Sequence, residues 1–97
     1  TQYRTILFDC VTLWLSNLIG TGVTEEVLFA RAGTLLDHMR GTGARVVLVS
    51  NELGLGLVPI EPSARAFRDL SGRVNQRIAA EADEAYLVVS GIPLRVK

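Results

Sequence analysis

An α/β fold, three layers deep around a mostly parallel sheet, is what this sequence of 97 residues predicts. Two observations carry the prediction. Strand-like and helix-like segments alternate from one end to the other, with no internal repeat, linker or low-complexity stretch between them. The strand-like segments are also continuous apolar runs rather than in/out alternations, the pattern of parallel strands covered on both faces. The order strand–helix–strand–helix–strand then implies βαβ units with right-handed crossovers. A chain of this length holds one domain, residues 1–97, with one core and little stability to spare.

Each element has its own signal. Thr5-Ile6-Leu7-Phe8 reads as a buried strand that stops at Asp9. Thr12 to Ile19 reads as a short helix, broken by Gly20 and Gly22. Thr24 is placed to cap a second helix, with Glu25 and Glu26 set against the positive end of its dipole. Leu28, Ala32, Leu35, Leu36 and Met39 recur there at helical steps, and Gly41 and Gly43 close the segment. Arg45 to Ser50 is the clearest strand and runs into a glycine-bearing loop, Asn51 to Gly56. Pro62 suits the first turn of a third helix, where its missing N–H is not needed. Its apolar stripe is Phe67, Leu70, Val74, Ile78 and Ala82. Arg65, Asp69 and Arg73 are spaced for i,i+4 ion pairs of ~0.3–0.5 kcal/mol each. Gly72, in mid-helix at a cost of roughly 1 kcal/mol against Ala, predicts close packing there. Ala85 to Val89 is a third strand, and Leu94 to Lys97 a fourth after a turn at Gly91-Ile92-Pro93.

Composition removes several function classes. Ten Lys and Arg balance ten Asp and Glu, so no basic patch points to nucleic acid. No apolar run reaches the roughly 18–20 residues of a membrane span, and Thr1 to Asp9 does not read as a secretory segment. The lone Cys10 cannot form an intramolecular disulfide, which fits a reducing cytoplasm. The chain opens without Met and enters a strand within a few residues, as a fragment does.

Ligands of open parallel sheets bind beyond the carboxyl ends of strands. Two polar clusters fall there: Asp9-Cys10 and Ser50-Asn51-Glu52. Asp9 fits two roles. A carboxylate at a strand tip orients Mg²⁺ in P-loop enzymes; an Asp there also starts an Asx turn or caps the next helix. Asn51 and Glu52, before Gly54 and Gly56, suit either a ligand contact or a self-satisfied loop; the glycines do not form a dinucleotide fingerprint. Arg65, Arg68, Arg73 and Arg77 suit an anionic ligand or subunit contact, or else a solvated ion-paired face. Asn75 and Gln76 read as helix-surface polar groups, and Trp14 as core or interface. His38 has no partner at catalytic spacing, and Cys10 beside a carboxylate is a packing residue, not a nucleophile. No Gly-x-x-x-x-Gly-Lys-Ser/Thr, His/Cys metal set or Gly-x-Ser-x-Gly occurs in these residues.

Three blocks in order carry a family resemblance. The first is Phe8-Asp9-Cys10-Val11-Thr12-Leu13-Trp14-Leu15-Ser16-Asn17-Leu18, and the second runs from Val47 through Ser50-Asn51-Glu52-Leu53-Gly54-Leu55-Gly56 to Pro59. The third runs from Ala64 through Phe67-Arg68-Asp69-Leu70-Ser71-Gly72-Arg73-Val74-Asn75-Gln76 to Ala79, followed by Ala82-Asp83-Glu84 and Tyr86 to Pro93. Together they resemble the carboxyl half of the bifunctional adenosylcobinamide kinase/adenosylcobinamide-phosphate guanylyltransferases of cobalamin biosynthesis. The resemblance implies a P-loop NTPase-like (RecA-like) fold, here a fragment lacking the P-loop strand. It implies an enzyme using ATP or GTP, with Mg²⁺, to phosphorylate the aminopropanol hydroxyl of adenosylcobinamide. That enzyme then transfers GMP from GTP, through a guanylylated histidine, to give adenosylcobinamide-GDP. It also implies a homo-oligomer, with trimers known in the family.

The candidate nucleotide-site residues are Asp9, Asn51, Glu52, Gly54, Gly56, Arg65 and Arg68, with Asp9 also the metal ligand. No catalytic residue is assigned to this chain, because the family's P-loop and guanylylated histidine precede the region it matches and His38 lies in a variable helix. The isolated chain is expected to be inactive and to need the missing amino-terminal half. Without the P-loop strand a strand edge or apolar face is left uncovered, so self-association is expected. A non-catalytic truncated homologue, acting as an oligomerising or binding module, is the alternative. A flavodoxin- or receiver-like protein is a third reading, disfavoured by the missing early acidic pair and the strand count.

Overall fold

The computed structural model describes residues 4–55 and 59–97. β1 (Thr5–Asp9) leads into α1 (Val11–Ile19) and α2 (Glu25–Gly41), and β2 (Arg45–Val49) follows. A short 3₁₀ turn at Leu53–Leu55 precedes α3 (Pro62–Glu81), and β3 (Tyr86–Val89) and β4 (Ile92–Arg95) close the chain.

The helix boundaries follow from local chemistry. The Thr24 hydroxyl accepts the Val27 N–H at 3.3 Å, and Glu25 and Glu26 stand in the first turn of α2. Gly43 turns the chain with a φ of +71°, a conformation glycine adopts without steric cost. Pro62 occupies the start of α3. Cys10 caps α1, its Sγ accepting the Leu13 N–H at 3.4 Å. Cys10, expected as a buried packing residue, is half-buried and takes the cap that the sequence left open to Asp9.

β1 and β2 pair in parallel, Thr5 beside Arg45 through to Asp9 beside Val49. Side chains alternate across a strand, so Ile6, Phe8, Val46 and Leu48 share one face and are half-buried. The three helices pack over that face. Leu15 and Val11 from α1, Leu28 and Ala32 from α2, and Leu70 and Val74 from α3 make the core, and Phe8 and Leu48 pack against it. Phe8 also meets Trp14 edge to face, centroids 6.1 Å apart.

Four expectations need correcting. The apolar runs of β1 and β2 predict cover on both faces, yet among the described residues only one face is covered. Leu7 (64% exposed), Val47 and Val49 line the other, so the described layers number two rather than three. Second, β3 and β4 do not extend a parallel sheet. They form a separate antiparallel hairpin, Val89 opposite Ile92, joined by Ser90 and Gly91. Both joining residues have positive φ, 51° and 76°, as the tightest hairpin turns require. The turn therefore precedes Ile92 and leaves Pro93 inside a strand that is an edge, where proline is tolerated.

Third, the ion pairs from Asp69 to Arg65 and Arg73 do not form among the described residues. Arg65 instead donates to the Pro59 and Ile60 carbonyls at 3.1 and 2.6 Å. Arg73 lies over the Phe29 ring, 5.2 Å from its centroid, with Glu25 at 4.0 Å. Fourth, a Cβ at Gly72 would meet nothing within 4 Å. The close helix approach is at Gly33 in α2, where a Cβ would lie 3.0 Å from the Arg77 guanidinium. That guanidinium rests over Phe29, and its Nε donates to Glu81 at 2.7 Å.

Candidate functional site

The parallel pairing brings the two polar clusters of the sequence to one edge. Asp9 and Val49 are register partners, so Asp9 and the Ser50-Asn51 segment leave the sheet side by side at its carboxyl end. The Asp9 carboxylate is exposed and makes no hydrogen bond or ion pair among the described residues. No group of three His, Cys, Asp or Glu side chains stands ready for a metal among the described residues.

Beside Asp9 the chain is held by a closed circuit of hydrogen bonds. Thr12 of α1 and Ser50 approach oxygen to oxygen at 3.3 Å. The Ser50 hydroxyl donates to Asn75 Oδ1 at 2.6 Å. Asn75 Nδ2, from α3, donates to the Asn51 carbonyl at 3.1 Å. The Asn51 N–H donates to Thr12 Oγ1 at 2.9 Å. Counting protons fixes the direction. The Asn51 carbonyl can only accept, so the Asn75 amide must face it with its NH₂. Ser50 then gives its single proton to Asn75 Oδ1, and the Thr12 hydroxyl donates to Ser50. Every donor in the circuit has one acceptor, and α1 and α3 are both tied to the Asn51 peptide groups, with Ser50 linking their side chains. The Asn51 side chain is exposed and takes no part in the circuit.

The other candidates are placed differently. The Glu52 carboxylate folds back to accept the Gly54 N–H at 2.8 Å, and a Cβ at Gly54 would lie 2.9 Å from that same oxygen. Glycine at 54 thus lets the acidic side chain close its own turn. Gly56 lies outside the described residues. Arg65 is spent on the two carbonyls that lead into α3, and Arg68 is half-buried with no polar partner among the described residues. No hydrogen bond or ion pair joins either arginine to Asp9, Asn51 or Glu52. His38 is exposed on α2, away from this edge.

Sequence reasoning named Asp9 and Asn51 but read Asn75 as a surface group and gave Thr12 no role. One signal was available for Asn75. It follows Val74 and stands three residues before Ile78, both in the apolar stripe, so it borders that stripe rather than opposing it.

The family model for cobinamide kinase / cobinamide phosphate guanyltransferase matches residues 1–96. The bifunctional adenosylcobalamin biosynthesis protein CobU of Salmonella typhimurium is 42% identical across 95% of this chain and 58% of its own length. The protein of the same name from Escherichia coli is 39% identical over the same shares. The bifunctional adenosylcobalamin biosynthesis protein CobP of Pseudomonas aeruginosa is 36% identical across 97% of this chain and 54% of its own length. The chain thus spans little more than half the length of the curated relatives it matches.

Proposed function

The chain belongs to the cobinamide kinase / cobinamide phosphate guanyltransferase family, and on that premise we propose that it forms the carboxyl-terminal portion of a nucleotide-dependent transferase of cobalamin biosynthesis. The observation that carries the reading is the family match over residues 1–96. The meeting of Asp9 with Ser50-Asn51 at the carboxyl end of two parallel strands supports it, because that is where such sheets bind ligands.

In this reading the fold is P-loop NTPase-like and the enzyme works in two steps. The aminopropanol hydroxyl of adenosylcobinamide attacks the γ-phosphorus of ATP or GTP, losing its proton and releasing the nucleoside diphosphate. A histidine then takes GMP from GTP with release of pyrophosphate and passes it to the substrate phosphate, giving adenosylcobinamide-GDP. Neither the histidine nor a phosphate loop is among these 97 residues as a recognisable motif. What this chain supplies is an acidic strand tip and a polar loop. An exposed carboxylate, without a partner among the described residues, suits Mg²⁺, which accepts one or two protein oxygens and completes its shell with water and phosphate. Asp9 is the residue that would hold it, and the ion offsets phosphate charge when bound. Asn51 would contact the nucleotide from the neighbouring strand end. Glu52, Gly54 and Gly56 would shape the loop, and Arg65 and Arg68 would serve the site only after moving from their present positions.

These 97 residues alone are expected not to turn over, since preorganised phosphate contacts supply much of the stabilisation in phosphoryl transfer. The test is formation of adenosylcobinamide-GDP from adenosylcobinamide, ATP and GTP, with this chain alone and with the family's remaining length supplied. Product only in the completed mixture supports the reading. Turnover by the chain alone overturns the proposed division, and no product in either overturns the transferase assignment. The open face of Leu7, Val47 and Val49 favours a second reading, a self-associating module, with a homotrimer as the family's form. A monomer by sedimentation across micromolar concentrations would sink it.

A further inference from the structure

Asn51 is unusual in how it is held. Both of its own backbone polar groups are gripped by side chains from other elements, its N–H by Thr12 of α1 and its C=O by Asn75 of α3. Ser50, the residue before it, links those two side chains to each other. Backbone polar groups at the end of a strand need partners, but water would serve for an exposed loop. A closed ring of four hydrogen bonds, all running in one direction, instead fixes the φ and ψ of a single residue and leaves its side chain projecting outward. Such rings polarise each member and resist partial opening.

We infer that Thr12 and Asn75 are positioning residues, which hold the Asn51 peptide so that the Asn51 amide is presented to the nucleotide. This rests on the nucleotide-site reading given above. It goes beyond that reading in assigning roles to two residues on helices, neither of which is among the candidate nucleotide-site residues. The ring also explains an arrangement that core packing does not require. Asn75 spends both ends of its amide on the β2 loop, although α3 is already fastened to the core by Leu70 and Val74.

The ring's proton direction makes the proposal testable by near-isosteric changes. Thr12→Val removes the acceptor for the Asn51 N–H and the donor to Ser50. Asn75→Asp keeps an acceptor for Ser50 but cannot donate to the Asn51 carbonyl. Thr12→Ser keeps every bond. In the completed enzyme, Thr12→Val and Asn75→Asp are expected to raise KM for GTP about five- to tenfold, the weight of one or two hydrogen bonds. Thr12→Ser is expected to restore the parent value. A merely structural role would lower the amount of active protein, and so kcat, with KM unmoved and Tm reduced; that result overturns the proposal.

A second measurement needs no turnover. Hydrogen exchange at the Asn51 amide, followed by NMR in the 97-residue chain, is expected to accelerate about two- to tenfold, on the order of one lost hydrogen bond, in Thr12→Val but not in Thr12→Ser. Equal exchange in all three proteins overturns the ring even if the enzyme is active. Should the completed parent enzyme make no product while exchange responds as expected, the transferase reading fails and the ring's hold on Asn51 stands.

Discussion

Two regions of this molecule are made of the same kinds of residue and treat them in opposite ways. Where the helices meet the β1–β2 sheet, Leu15 and Leu28 are fully buried. In the β3–β4 hairpin, Tyr86, Val88, Val89, Ile92 and Leu94 each keep roughly half or more of their surface exposed. The first region is held by apolar burial. The second is held by polar ties at its base: Lys97 Nζ donates to the Ala79 and Ala80 carbonyls at 2.8 and 2.9 Å, and the Ala85 carbonyl accepts the Val96 N–H at 2.9 Å. Apolar composition is therefore a statement about what a segment is built to touch, and in the hairpin that contact is not made within the described residues.

The contrast predicts a graded set of responses to substitution. Leu15→Ala, inside the helical core, should cost about 2–5 kcal/mol in urea unfolding, the range for a buried leucine whose cavity does not collapse. A loss under about 1 kcal/mol would mean that the core is looser than its burial implies. Thr24→Ala removes the cap of α2 and should cost about 1 kcal/mol, measured the same way. Lys97→Met removes the two bonds to α3 and should cost about 0.5–1 kcal/mol. Its more telling readout is faster amide exchange confined to residues 85–96, since the helical core does not depend on that tie. Ile92→Thr, on the open hairpin, should change stability by less than about 0.5 kcal/mol. A larger effect that grows with protein concentration would show the hairpin buried against another copy, and the contrast between the regions would then belong to the isolated chain alone.

Legibility in the sequence divides along similar lines. α3 is readable from Pro62 and the stripe Phe67, Leu70, Val74 and Ile78, because helix period and core contact are the same fact there. α2 is readable from Thr24 and its two acids. The hairpin misleads because a short apolar run looks the same whether its strand is central or at an edge; here the run is Tyr86 to Val89. Pro93 draws the expected turn two residues too far, past the Ser90-Gly91 pair that makes it. The placement of Asp9 and Asn51 at the carboxyl end of the sheet is legible because strand ends are legible. The ring is not, since it joins residues 38, 25, 24 and 39 positions apart and no local pattern encodes such distances. The pairs expected from Asp69 fail for a related reason: spacing permits a contact, while Arg65 finds two carbonyls at the start of its own helix.

Gly33 has a meaning for how this sequence can drift. An alanine there would gain about 1 kcal/mol of helix propensity while crowding the Arg77 guanidinium at 3.0 Å and loosening its hold on Glu81 and Phe29. The crowded atoms are the far end of a flexible side chain, so the guanidinium can swing aside, and what the methyl group disturbs is the set of Arg77 contacts rather than the helix. The effect of the change is therefore set by the company position 33 keeps. Gly33→Ala should gain more stability where residue 77 is shorter than arginine, and a paired library at 33 and 77 should recover that dependence.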